Sequence, residues 1–274
     1  MSRVHTSPAL DQLTGATVEE TLRLDAATAR DFAAVTGHGY AQLEADLAPP
    51  LLCVRALPLA GAALAARNGM GEGLAVQQVA QEIVFEQPLP LDADIGVAAR
   101  VAEVGDCGTR QGMRVATELS VAGRRAVEMT TTVTGGPALG EGRLAIDMSG
   151  LRPDEELAQA STAIAADLPE RYAGVSGDLN PLHLDDAIAR AFGFPGAIVH
   201  GMATVALSLA AATDSCPAIA TGTPSRLSAR MARPLLPGST IRTSVFSTQT
   251  PGAFRLKVTS EDADVLKNVA LWVR

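Results

Sequence analysis

Aromatic side chains make up only 3% of this 274-residue chain, so its interior must be built from small and branched aliphatic groups rather than rings. Small side chains let helix and sheet approach closely. Cysteine is also scarce: Cys53, Cys107 and Cys216 are odd in number, far apart and form no CxxC. That argues for reduced thiols rather than a disulfide framework or metal ligands. The four histidines form no HxH or HExxH, and no metal centre is expected. Lys and Arg number 22 against 30 Asp and Glu, and a net charge of -8 argues against nucleic acid as a partner. The apolar stretches are too short, or too broken by charge and Gly, to span a bilayer. The opening MSRVHTSPALDQ has no apolar run behind a basic start and does not read as a signal peptide. These absences lead to the expectation of a soluble cytoplasmic protein.

Hydrophobic residues are 47% of the chain, enough to bury a core in one large domain or two modest ones. The pattern of elements repeats. In the first half TLRLD (21–25) reads as a strand, ATARDFAAV as a helix, and Leu57 to Asn68 as a hydrophobic helix stopped at Gly69. Four strand-like runs follow, VQQVAQEIVF, IGVAARVAEV, MRVATELSV and AVEMTTTVT, divided by Pro, Gly and Asp turns. The second half starts after MSGLRPDEELAQ, read as a polar, strand-breaking link. STAIAAD (161–167) is then a weak strand, PERYAGV a short helix opened by Pro169, and Val199 to Ala212 the long hydrophobic helix. Strand-like runs return at 225–233, 240–248, 253–259 and 265–273.

A shift of 140 positions lays FAAVTGH (32–38) over YAGVSGD (172–178), matching Ala33 with Ala173, Val35 with Val175 and Gly37 with Gly177. The differences carry more than the matches. His38 stands where Asp178 stands, Ala41 where Pro181 stands and Leu43 where His183 stands. A leucine transfers no proton, so one active site per chain is expected, in the second half.

Asp178 and His183, a carboxylate and an imidazole five positions apart, sit in a loop stiffened by Gly177, Asn180 and Pro181. Pointing inward together, they can reach one water, which is what general acid-base addition or removal of water needs. The other reading is an Asx-type turn in which Asp178 only caps local amides and His183 is a satisfied surface residue. Gly201, near the first turn of the long helix, leaves backbone N–H groups uncovered at the positive helix end, where they can stabilise charge on a carbonyl oxygen. A glycine chosen only for close packing remains open as the alternative. His200 reads as a structural or pocket-lining hydrogen-bonding residue.

The stretch RYAGVSGDLNPLHLDDAIARAFGFPGAIVHGM resembles the signature of MaoC-like dehydratases, also called R-specific or type 2 enoyl-CoA hydratases. Its elements stand here as Tyr172, Gly177, Asp178, Asn180, Pro181, His183 and the Val199-His200-Gly201-Met202 helix start. The resemblance implies an α+β double hotdog, each half a curved antiparallel β-sheet wrapped around a long hydrophobic helix. Residues 1–150 would form a degenerate hotdog and residues 151–274 the catalytic one. It implies reversible hydration of trans-2-enoyl thioesters to (R)-3-hydroxyacyl thioesters. Asp178 and His183 would activate the water, and the Gly201 N–H would meet the thioester oxygen. A serine that some members use eight residues after that glycine is replaced here by Leu209, with Ser208 beside it.

No resident cofactor is implied; coenzyme A or the phosphopantetheine of an acyl carrier protein comes with the substrate. Arg226, Arg230 and Arg233 lie near the start of the second sheet, and Arg226 with Arg230 should share a strand face where they could meet its phosphates. The small-residue helix LPLAGAALAA, with Leu43, would widen or line a tunnel for an acyl tail; a purely structural first half is the other reading. A hotdog acyl thioesterase and a noncatalytic acyl-thioester-binding subunit are the competing functions. The resemblance implies a homodimer, although two hotdogs in one chain can complete the usual pair internally.

Overall fold

The computed structural model describes residues 13–37, 46–67, 76–138, 140, 142–146, 148 and 150–274. In chain order the first half holds β1 (Thr17–Arg23), α1 (Ala26–Thr36), a 3-10 turn (Pro50–Arg55), α2 (Ala56–Arg67), β2 (Gln77–Phe85), β3 (Asp94–Cys107), β4 (Arg110–Val121) and β5 (Arg124–Pro137). The second holds β6 (Pro153–Ala163), α3 (Leu168–Ser176), a 3-10 turn (Pro181–His183), α4 (Asp186–Ala191), α5 (Gly201–Ser215) and α6 (Pro217–Ala220). It ends with β7 (Pro224–Met231), β8 (Thr240–Thr248), β9 (Ala253–Ser260) and β10 (Ala263–Val273).

All ten strands form one sheet, in the order β1-β3-β4-β5-β2-β7-β10-β9-β8-β6. Outward from the β2–β7 seam the two halves run through the same sequence of strands, so the sheet has an internal two-fold character. The seam is antiparallel, from Ala80 opposite Arg230 to Val84 opposite Arg226. Alternation in the sequence places the inner face: on β3, Ile95, Val97, Ala99 and Val101 are buried while their neighbours are less so. Helix α5 packs on β6 and β8, and α2 on β1, β3 and β4. Ala, Val and Leu dominate the buried set, with Phe32 and Tyr172 its largest fully enclosed side chains. All three cysteines are free thiols, Cys53 and Cys216 buried.

Two expectations need correction. The polar segment around DEELAQ is no breaker, because β6 runs through it and pairs with β8. It is an edge strand exposed along nearly its whole length, so no apolar alternation marked it. Helix α5 begins at Gly201 rather than Val199, whose N–H instead donates to Leu235 O. Asn68, Gly69, His38, Ala41 and Leu43 lie outside the described residues. One segment, Pro50–Arg67, is long and apolar enough to count as a candidate membrane span. It consists of the 3-10 turn and α2, whose Leu51, Leu52, Val54, Ala60 and Leu64 are buried within the fold.

Candidate active site

The site grows from the end of α3. Pro169 stands in the first turn of this helix and Gly177 closes it at φ 75°, its N–H donating to Ala173 O. Only glycine adopts that left-handed conformation cheaply. From the first half, Arg55 Nη1 donates to Val175 O over 2.6 Å, holding the last turn from outside.

Beyond Gly177 each polar group in the loop has a task. The Asp178 N–H donates to Ser176 Oγ (3.2 Å), and Asp178 Oδ1 accepts from the Asn180 N–H (3.1 Å). Asn180 Oδ1 accepts from the Leu182 N–H (3.1 Å), capping the 3-10 turn that Pro181 opens, while its Nδ2 donates to Val76 O (2.9 Å) in the first half. The Asx turn is therefore real, and Asp178 also lines the cavity below. The turn does not exclude the acid-base reading, since only one carboxylate oxygen serves it.

His183 Nδ1 lies 2.8 Å from Ile198 O. A carbonyl only accepts, so Nδ1 carries the proton and the neutral ring keeps a lone pair on Nε2. Burial pushes the imidazole below its ordinary 6.5, partly offset by the Asp178 charge and the Ile198 bond. His200 is 1% exposed and has the opposite tautomer: Nε2 donates to Asp178 O over 3.0 Å, while buried Nδ1 has no hydrogen-bond partner. Burial, then the neighbouring His183, push it down to about 4, so it too is neutral. The two imidazoles stack with centroids 3.8 Å apart, and the buried Tyr172 ring lies 5.0 Å from that of His200. Burial raises the Tyr172 hydroxyl far above its usual range, with Asp178 adding to the effect, so it stays protonated.

Gly201 is the first residue of α5, and the first hydrogen bond closing its opening turn is Thr204 N to His200 O at 3.1 Å. The N–H groups before Thr204 have no carbonyl one turn back to receive them. A Cβ on Gly201 would stand 2.7 Å from Met231 Cγ and 3.0 Å from Cε. A side chain here would press on Met231, whereas glycine leaves the backbone donors at the helix start uncovered.

Tyr172, Asp178, Asn180, Pro181, His183, His200, Gly201 and Met202 all line one cavity of about 870 Å³. Its other wall comes from the first half: α2, Val76 to Gln78, and the inner faces of β4 and β5. The expected phosphate pair is placed elsewhere. Arg226 and Arg230 share a face, but neither is among the described residues lining the cavity, whereas Arg233 is. Arg226 Nη2 pairs with Glu82 Oε2 across the seam at 3.1 Å and its guanidinium sits 4.9 Å from the Trp272 ring centroid. Strand alternation turns Arg226 and Arg230 away from the side that Leu227, Ala229 and Met231 present to the core. Ser208 donates back to Thr204 O over 2.7 Å inside α5, and neither it nor Leu209 is among the lining residues.

Ligand atoms of Asp178, His183 and His200 all lie within 4.8 Å of one another, the nearest approach to a metal-binding set among the described residues. Their free lone pairs, on His183 Nε2 above all, are also those that a proton transfer would need. Sequence reasoning missed Arg55 and Val76. Each reaches the loop from more than a hundred residues away, and no local pattern marks such a contact.

Residues 150–268 match the family model described as MaoC like domain. The 3-hydroxyacyl-thioester dehydratase Y of Mycobacterium tuberculosis is 28% identical over 231 residues, covering 78% of this chain and 76% of that protein. A solved MaoC-like dehydratase superposes with a TM-score of 0.78 at 19% identity, over 97% of this chain and 99% of that one. A Mycobacterium tuberculosis protein described as having a double hotdog fold superposes at 0.64 and 14% identity, over 97% and 98%. These superpositions establish the double-hotdog architecture.

Proposed function

We propose, from the match of residues 150–268 to the MaoC like domain and from the double-hotdog frame, that this protein reversibly hydrates trans-2-enoyl thioesters to (R)-3-hydroxyacyl thioesters. One observation carries the reading. The lone pair on His183 Nε2 and the Asp178 carboxylate share a largely apolar cavity with the N-terminus of α5.

In this scheme His183 Nε2 takes a proton from water as its oxygen bonds to C3. Asp178 orients that water and helps return a proton to C2, and the Gly201 N–H steadies the negative charge gathering on the thioester oxygen. Water adds as a whole and no electrons leave the system, so the chemistry requires neither a resident metal nor a redox group. The name of the mycobacterial relative, a 3-hydroxyacyl-thioester dehydratase, supports the substrate class. Coenzyme A or phosphopantetheine would enter as the substrate's handle, with Arg233, which lines the cavity and is exposed, meeting its phosphates. The acyl tail would run along α2, where Leu57, Ala60, Gly61 and Leu64 form a wall of small and aliphatic groups. Such burial contributes about 0.8 kcal/mol per methylene.

The test is to follow loss of the conjugated enoyl absorbance with trans-2-enoyl-CoA substrates of increasing length, with chiral analysis of the product. Alkene loss giving the (R)-alcohol is expected, with longer chains favoured. Release of free thiol with the alkene intact would replace this reading by a thioesterase. Binding without either reaction would make the chain an acyl-thioester-binding subunit.

A further inference from the structure

The segment that carries Asp178 and His183 is tied to the first half of the chain at several points. Arg55 Nη1 donates to Val175 O over 2.6 Å, Asn180 Nδ2 donates to Val76 O over 2.9 Å, and Pro58 Cγ lies 3.7 Å from where a Cβ on Gly177 would stand. The last two are a neutral amide bond and plain packing. The arginine contact differs, because it commits a charged side chain to a neutral carbonyl. Arg55 is half-buried, and among the described residues no carboxylate pairs with it. Nor is it among the described residues that line the cavity.

Val175 O belongs to the last turn of α3, where carbonyls have no N–H one turn ahead and the helix end is negative. A cation there answers both. Arg55 closes the 3-10 turn Pro50–Arg55, whose Leu51, Leu52, Cys53 and Val54 are all buried. The root of the side chain is therefore fixed in the core of the first half, and its tip holds a turn of the second. Bonds from a charged donor are also stronger than neutral ones.

What that turn controls is the exit of the chain toward Asp178. The Asp178 N–H donates to the hydroxyl of Ser176, the residue after Val175, and Asp178 O accepts from His200 Nε2. The direction of the carboxylate is thus set by a stretch of backbone whose upstream end Arg55 holds. Without the guanidinium Val175 O would lose its charged partner, and the last turn, Ser176 Oγ included, would loosen. We infer that Arg55 is a positioning residue for Asp178, acting by fixing the turn from which the carboxylate projects. The first half thereby contributes to the chemical step as well as to the cavity wall. That Asp178 handles a proton rests on the reading in the preceding subsection.

Enoyl-CoA hydration kinetics and amide hydrogen exchange are measured on the full chain, on Arg55→Met and on Arg55→Lys. Methionine keeps an apolar stem without the donor or the charge; lysine restores both. Arg55→Met should lower kcat about 10- to 100-fold while KM moves less than about twofold, and Arg55→Lys should recover most of the loss. Amides of residues 176–183 should exchange about tenfold faster in Arg55→Met, with those of β7 and β10 as protected as in the parent. A folded Arg55→Met that keeps the parent kcat, or loses only in KM, overturns the inference, and so does a loss of kcat that lysine leaves unrepaired. The two readings fail separately. A parent that hydrates no enoyl-CoA removes the hydratase reading and leaves loop exchange to decide whether Arg55 holds Asp178; a parent that hydrates, matched by Arg55→Met, keeps the hydratase reading and removes Arg55.

Discussion

Helix α1 ends at Gly37, with φ 74° and an N–H that returns to Ala33 O; α3 ends at Gly177, with φ 75° and an N–H that returns to Ala173 O. Each cap faces the central helix of the other half. A Cβ at Gly37 would lie 3.3 Å from Ala210 of α5, and one at Gly177 would lie 3.7 Å from Pro58 of α2. The hydroxyls just before them diverge. Thr36 Oγ1 donates back to Phe32 O over 2.7 Å, inside its own helix, whereas Ser176 Oγ accepts from the Asp178 N–H ahead of it. Identical caps therefore serve different ends: the first closes a helix, and the second launches a loop held by the hydrogen bonds of Asp178 and Asn180. In the proposed mechanism the chemistry resides in the residues beyond the second glycine, and the duplicated scaffold supplies position.

That contrast is broken most decisively at the acid-base pair. His183→Ala and Asp178→Asn should each keep the fold and lower kcat/KM for enoyl-CoA hydration by about 10²- to 10⁴-fold. A folded variant with undiminished turnover would remove that residue from the mechanism. Gly201→Ala comes next, because its methyl meets Met231: turnover should fall about tenfold or more, with a loss of about 1–3 kcal/mol in denaturant unfolding. Normal activity there would show that the added methyl neither obstructs the cavity nor displaces the α5 N-terminus.

The pH response sharpens the same difference, since both described histidines belong to the second half. With His183 held below its ordinary 6.5, its base form persists as pH falls through neutrality, and kcat/KM should decline only below about 6.5. Stability has the same sign. The unfolded chain, with imidazoles near 6.5, binds protons that folded His200, at about 4, refuses. Stability should therefore be flat between about pH 6.5 and 8 and fall between 6.5 and about 4. Denaturant melts across that range check it, and His200→Phe should flatten the slope.

Smaller effects separate scaffold from site. Gly37→Ala should cost about 1–2 kcal/mol of stability, from the left-handed backbone, and leave kcat unchanged; a large fall in kcat would make the first cap part of the active site. Arg226→Ala should be smallest of all, removing a half-exposed ion pair worth about 0.2–1 kcal/mol without altering KM for the CoA thioester. A raised KM would return Arg226 to the handle's binding site.

Much of the molecule is legible from its residues alone. The loop from Gly177 to His183 carries its own stiffening residues, so its geometry is local and readable. The long helices declare themselves by apolar spacing, and most strands by alternation between turns. Edge strand β6 escaped because it buries almost nothing, and α5 was read two residues early because apolar Val199 and buried His200 continue the pattern up to the cap. The arginine stripe was rightly assigned to one face of β7, but which face the core would cover depends on the seam with β2, and no single strand records that pairing.

By itself, then, the order of residues determined two copies of one scaffold, a stiffened loop that pairs Asp178 with His183 and the helix start beside it, because turns, caps and periodicity act over a few neighbours. The tertiary structure alone decided that Arg55 and Val76 of the first half would hold that loop and the helix turn before it, and that Arg226 would face Glu82. Those contacts join residues more than a hundred positions apart. Only closure of the ten-stranded sheet brings them within reach.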